Sequence, residues 1–159
     1  MNRFEQRVKR MIANWWSIPA VGVMGVLTMF WAQPSSATAP SGRYTIANGT
    51  VYDTQTKLTW QQEVSSSSYT WAEAKTYCST LSLNGTGWRV PGIGELQTIV
   101  DESTNPSVDA TAFPMTPSEY FWSSSAVVED PSRAWTGFFA NGATYRFVVT
   151  APKSVRCVR

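Results

Sequence analysis

Hydrophobic residues first occur as one long apolar run and only later as short periodic segments. Ile18 to Ala32 is apolar for about fifteen residues, too short to span a bilayer comfortably. Arg3, Arg7, Lys9 and Arg10 precede the run, and small residues follow it, with Ser35 and Ala37 placed for a cut after Ala37. That order predicts a secretory signal peptide over 1–37. An uncleaved amino-terminal anchor is the alternative, because Trp15, Trp16 and Trp31 flank the run. No cysteine lies directly behind the run, which argues against a bacterial lipid anchor.

Residues 38–43 read as a Pro/Ser/Gly linker, and 44–159 as one domain. Tyr44 and Ile46 alternate with polar residues, Asn48-Gly49 is a hairpin signal, and Val51-Tyr52 leads into a polar turn at 53–56. Leu58 and Trp60 then alternate with Lys57, Thr59 and Gln61, so this region reads as short strands. TWAEAKTYCSTL (70–81) changes the period. Trp71, Ala74, Cys78 and Leu81 share one helical face, and Thr70 with Glu73 forms a capping box. Cys78 is therefore expected to point inward.

GWRVPGIGELQTIVD (87–101) places two glycines before a helix, as some phosphate loops do. It lacks the third glycine of a dinucleotide loop and the Lys-Ser/Thr of a mononucleotide loop. Glu95 would also put a carboxylate where a phosphate would sit. The stretch reads as a turn and a cap, with Gly92 as N-cap, Ile93, Leu96 and Val100 as a buried stripe, and Ile99 beside them. Asp101, Glu102, Asn105 and Pro106 end it. The last third is rich in strand signals: Tyr120 to Trp122 with Ser123 to Ser125, a turn at 129–132, Arg133 to Phe139, the Asn141-Gly142 hairpin, Thr144 to Thr150, and Val155 to Val158. Strands at both ends with two helices between them predict an α+β domain.

Charge changes the picture once the leader is set aside. The formal net charge is +2, yet four of the 13 basic residues and one of the 11 acidic residues lie before residue 38. The remainder is near neutral, so net charge gives no reason to expect a nucleic-acid partner. Membrane contact is expected only through 1–37. The chain has no histidine, which removes any Ser-His-Asp set. Cys78 and Cys157, an even pair in an exported chain, read as one disulfide. It would close a loop of about 80 residues, worth roughly 4–5 kcal/mol on the chain-entropy account. Two free thiols are the alternative. A metal site is argued against by the missing histidine and the distant cysteines, and no cofactor is implied.

GWRVPGIGEL (87–96) resembles the Trp-Arg-Leu-Pro-Thr-x-x-Glu-Leu signature of the family named after the C-terminal domain of the Legionella collagen-like protein. GTVYDTQTKLTWQ (49–61), YTWAEAKTYCSTL (69–81), FWSSS (121–125), AWTGFFANG (134–142) and SVRCVR (154–159) resemble further segments of that family, in the same order. The likeness covers 49–159. Gly92 stands where the family usually has threonine, and glycine still caps at a cost of a few tenths of a kcal/mol. The resemblance implies a C-type-lectin-like α+β fold whose two ends meet, with the first helix tied to the last strand by Cys78–Cys157.

Candidate chemistry is sparse. Glu63, Asp101, Glu102, Glu129 and Asp130 supply carboxylates for a glycosidase pair, but no site pattern flanks them. Formylglycine-generating enzymes share the implied fold distantly, and their chemistry uses reactive cysteines rather than a bridge. The Glu-Pro-Asn or Gln-Pro-Asp and Trp-Asn-Asp sets of calcium-dependent lectins are absent. Glu129-Asp130-Pro131 and Thr104-Asn105-Pro106 are only superficially similar.

The family's namesake adheres to sulfated polysaccharides, which directs attention to local basic residues. Arg133, Arg146 and Lys153, near the terminal hairpins, are the candidate ligand-binding set, with Arg156 and Arg159 alternating on the last strand. A rim of solvated charges is the bland alternative. Trp60, Trp71, Trp88, Trp122 and Trp135 read mostly as core. The expected function is an exported, non-enzymatic module that recognises a glycan or another cell-surface ligand. The alternatives are an assembly domain that binds an envelope or appendage protein, and a small carboxylate-dependent hydrolase.

Overall fold

A computed structural model describes residues 40–159, and the expected leader at 1–37 lies outside them. Asn48 and Gly49 have φ of 50° and 75°. That two-residue geometry follows the natural twist of a hairpin, and it joins β1 (Tyr44–Ala47) to β2 (Thr50–Asp53). β2 pairs antiparallel with β3 (Thr59–Gln61), completing a three-stranded sheet in the order β1-β2-β3. The end of the expected linker is anchored to this sheet. Arg43 donates to both oxygens of the buried Asp53, at 3.1 and 2.7 Å, and to the Thr98 carbonyl at 2.6 Å. Burial alone would raise the Asp53 pKa. The hydrogen bonds from Arg43 and the Gln55 amide outweigh it and hold the carboxyl below its usual range.

α1 (Trp71–Thr80) starts where the capping box places it, with the Glu73 carboxylate accepting the Thr70 amide at 2.8 Å and the Thr70 hydroxyl accepting the Glu73 amide at 3.4 Å. Ala74 and Cys78 are buried, and Trp71 and Leu81 pack at the margin of the same cluster. α2 (Ile93–Thr98) is shorter than the hydrophobic stripe, because Ile99 is already its C-cap and Val100 lies beyond it. Glycine has no side chain to cap with, so only the return half of the capping box forms: Glu95 accepts the Gly92 amide at 2.7 Å. Arg89 grips the same carboxylate with two bonds of 2.6 Å, and those bonds hold the Glu95 pKa below the usual range. The helix start is thus occupied by a side chain of the domain itself.

Gly92 has φ −64° and ψ 158°, which any residue adopts, and an added Cβ would make ordinary contact with Glu95 at 3.5 Å. Gly92→Thr is therefore expected to stabilise the domain by a few tenths of a kcal/mol, raising Tm by about 1–3 °C in a thermal scan. An unchanged or lower Tm would mean that the Arg89–Glu95 pair already does all the capping.

β4 (Tyr120–Val127), β5 (Asp130–Phe138) and β6 (Thr144–Val148) form a second three-stranded antiparallel sheet. β5 begins earlier than the turn expected at 129–132. Asp130 pairs with Val127, leaving only Val128 and Glu129 in the turn, and Pro131 falls beside a register shift that tolerates its missing N–H. β6 ends at Val148 because the Val149 carbonyl turns to accept the Trp71 amide at the start of α1. α2 presses onto one face of this sheet at Gly137, where a Cβ would lie 3.0 Å from Leu96. Its core there includes Leu96, Ile99, Phe121 and Phe139. The other face carries Trp122 and Ala134 against Ala74, Cys78 and Cys157.

The expected last strand does not form as a ladder. Lys153 exchanges two backbone bonds with Tyr69, Ser154 bonds to Tyr120 and Trp122, Val158 exchanges two with Arg89, and Arg159 exchanges two with Thr59. Cys157 and Arg159 bond along β3, to Gln61 and Thr59, whereas the other bonds go to Tyr69, to β4 and to Arg89, so the segment sews the two sheets together. This route brings Cys157 to Cys78. Their disulfide has an S–S length of 2.02 Å and a Cα–Cα distance of 5.5 Å across 79 residues of sequence.

Arg156 departs from the expectation of an alternating basic edge, because it is fully buried. Its guanidinium donates to the Gln61 and Gln62 carbonyls at 2.9 and 2.6 Å and to the Thr116 hydroxyl at 2.6 Å, and it lies 4.6 Å from the Phe113 ring. The segment passes through the interior, so both its sides face protein and the arginine is consumed as a tie.

Candidate functional site

Register and pleat place the site. Trp135 of β5 stands opposite Arg146 of β6, and Ala134 opposite Phe147. Successive side chains point to opposite faces. Ala134 and Phe147 join the disulfide cluster, so Trp135 and Arg146 occupy the face on which α2 packs. α2 covers that face at Gly137, whereas Trp135 is only partly buried. There Trp135, Arg133, Arg146, Thr144, Tyr145, Glu129, Asp130 and Val127 line an open cleft of about 520 Å³.

The cleft is organised by its own contacts. The Arg146 guanidinium lies 5.1 Å from the Trp135 ring centroid, a cation–π contact that steadies both side chains. Arg133 Nε lies 3.1 Å from Asp130, and both side chains are about half exposed. Asp130 also accepts from the Ser132 hydroxyl and amide, at 2.5 and 3.1 Å. The hydroxyl bond contributes most to holding its pKa below the usual range. Two guanidinium groups face two carboxylates, so the cleft carries many hydrogen-bonding groups and almost no net charge.

Of the candidate ligand-binding residues, Arg133 and Arg146 meet in this cleft and Lys153 does not. Its ammonium sits 4.0 Å above the Phe147 ring and 5.3 Å from Tyr120, on the other face of the sheet. Arg159 lies over Trp88 at 4.9 Å and donates to the Asn84 carbonyl at 2.8 Å. The basic residues are thus dispersed. The carboxylates divide too, with Glu129 and Asp130 here, Glu63 lining another cleft, and Asp101 bonded to Ser103 in its own loop. Among the described residues, no group of three or more Cys, Asp or Glu side chains is arranged to hold a metal ion.

Three of the five tryptophans among the described residues are core. Trp60 and Trp122 are fully buried, Trp88 is 3% exposed, and Trp71 donates its indole N–H to the Ser123 carbonyl at 2.7 Å. Trp71, like Trp135, is only partly buried, but its ring is covered by the Lys75 ammonium at 3.1 Å. Trp135 lines the cleft described above, and hydropathy alone concealed it. Its strand parity with Arg133, and its position across the hairpin from Arg146, were the available signals. The serine run at 123–125 is structural: Ser123 donates to the Trp135 carbonyl at 2.8 Å, and Ser125 accepts the first amide of α2 at 3.0 Å.

These features define a small, disulfide-bonded α+β domain with a polar cleft around one tryptophan. The chain belongs to the Lcl C-terminal domain family, whose sequence model matches residues 49–159. No match is found among curated proteins.

Proposed function

We propose that the protein is an exported, non-enzymatic binding module of C-type-lectin-like fold that recognises a glycan at the cell surface. The observation that carries this reading is Trp135, partly exposed, steadied by Arg146 and ringed by Arg133, Asp130, Glu129 and Thr144. An indole offers a large apolar face of the kind that packs on the C–H face of a sugar ring. Guanidinium and carboxylate groups held at fixed positions exchange hydrogen bonds with neighbouring hydroxyls. Balanced charge favours a neutral saccharide over a polyanion. Export is supported by the basic, apolar and small residues of 1–37 and by a disulfide, which persists in oxidising compartments. The lectin-like fold is supported by the C-terminal segment returning beside β3 near the domain's start.

A glycan array probed with the mature domain tests this reading. Saturable binding to neutral glycans is expected, insensitive to EDTA, and weakened roughly tenfold or more in Trp135→Ala, equivalent to about 1.4 kcal/mol. The reading fails if the folded wild type binds no saccharide, or if Trp135→Ala binds the same set equally well.

A further inference from the structure

A second open cleft, of about 440 Å³, lies between the segment that follows β3 and the loop before β4. Its apolar side is Val64, Pro114, Met115 and Pro117, and its polar side includes Glu63, Glu119 and the Ser154 hydroxyl. Met115 stands 97% exposed at the tip. We infer that this cleft docks a cationic side chain of a partner protein, with an adjoining apolar residue packed on Met115.

Charge complementarity selects the occupant. Glu63 and Glu119 are both exposed, and neither pairs with a cation among the described residues. Among the described residues, the Glu119 carboxylate holds only the Ser154 hydroxyl, at 2.8 Å. The cleft therefore presents two uncompensated carboxylates beside an apolar wall, whereas the Trp135 cleft balances its charges. A guanidinium bonds to carboxylates in a planar, paired geometry, and a thioether adapts to apolar shapes. Both walls are fixed from beneath by one residue. Arg156 ties the Gln61 and Gln62 carbonyls, which lead into Glu63, to the Thr116 hydroxyl beside Met115. The partner thus meets a preformed surface, which limits the ordering cost of binding.

The disulfide-bonded domain, labelled with ¹⁵N and with ¹³C at methionine methyls, is titrated with the peptide acetyl-Leu-Arg-Leu-amide. Saturable shifts are expected at Glu63, Glu119, Ser154 and the Met115 methyl. Replacing the peptide's arginine with citrulline, or using the Glu63→Gln/Glu119→Gln variant, is expected to weaken binding at least tenfold. Trp135→Ala leaves it unchanged, which separates this surface from the glycan cleft. The inference is overturned if these sites show no saturable shift up to about 10 mM peptide, or if the citrulline peptide or the double variant binds as well.

Discussion

Replacing Cys78 and Cys157 together with alanine is expected to lower the unfolding free energy by about 4–5 kcal/mol on the chain-entropy account. The bridge spans 79 residues of sequence, so without it the unfolded chain regains most of its freedom. Both residues are also fully buried between α1 and the second sheet, so the lost sulfur contacts add to the cost. A domain of this size has a total stability of about 5–15 kcal/mol, which leaves the variant close to unfolding at growth temperature. Urea melts of the wild type, with and without reductant, and of the double variant give the number. A loss below about 1 kcal/mol would show that the backbone bonds of residues 153–159 hold the two sheets together unaided.

The second large effect is expected at Arg156. Burial pushes its pKa down to about 9, which still leaves it charged at neutral pH. No carboxylate pairs with it among the described residues, so two carbonyls and a hydroxyl carry the whole task of replacing water. Arg156→Met keeps the bulk but leaves those three acceptors without donors, at a cost of about 3–5 kcal/mol. Arg156→Lys retains a charge without the fork and is expected to lose less. The same urea melts, together with protease sensitivity of the loop at 113–117, check this. An Arg156→Met variant within about 1 kcal/mol of wild type would contradict it.

Local physics made much of the fold readable. Thr70 and Glu73 set a helix start that depends on neighbouring atoms alone, and Asn48-Gly49 sets a turn for the same reason. Cys78 was readable as inward-facing from its helical spacing. Val155 to Val158 was readable only as extended, because the neighbours that split the hydrogen bonds of residues 153–159 are brought in from 59–61, 69, 89 and 120–122 by the fold. Arg156 was misplaced for a related reason: alternation assumes one wet face, and this segment has none. Half of the candidate site was readable. Arg133 and Arg146 were selected by charge and do meet, whereas Lys153 shares their charge but lies on the opposite face. Trp135 was hidden among tryptophans that hydropathy treats alike, although strand parity distinguishes it. The cleft beside Met115 lay in segments without period, where sequence offers composition but no direction.

The role of Trp135 is tested most directly by its indole N–H resonance, assigned with a Trp135→Phe variant and followed while an array-selected glycan is titrated. A saturable shift is expected, with the same Kd as calorimetry on the same sample. A glycan that binds tightly by calorimetry, yet leaves this resonance unmoved while others shift, would place the ligand elsewhere on the domain.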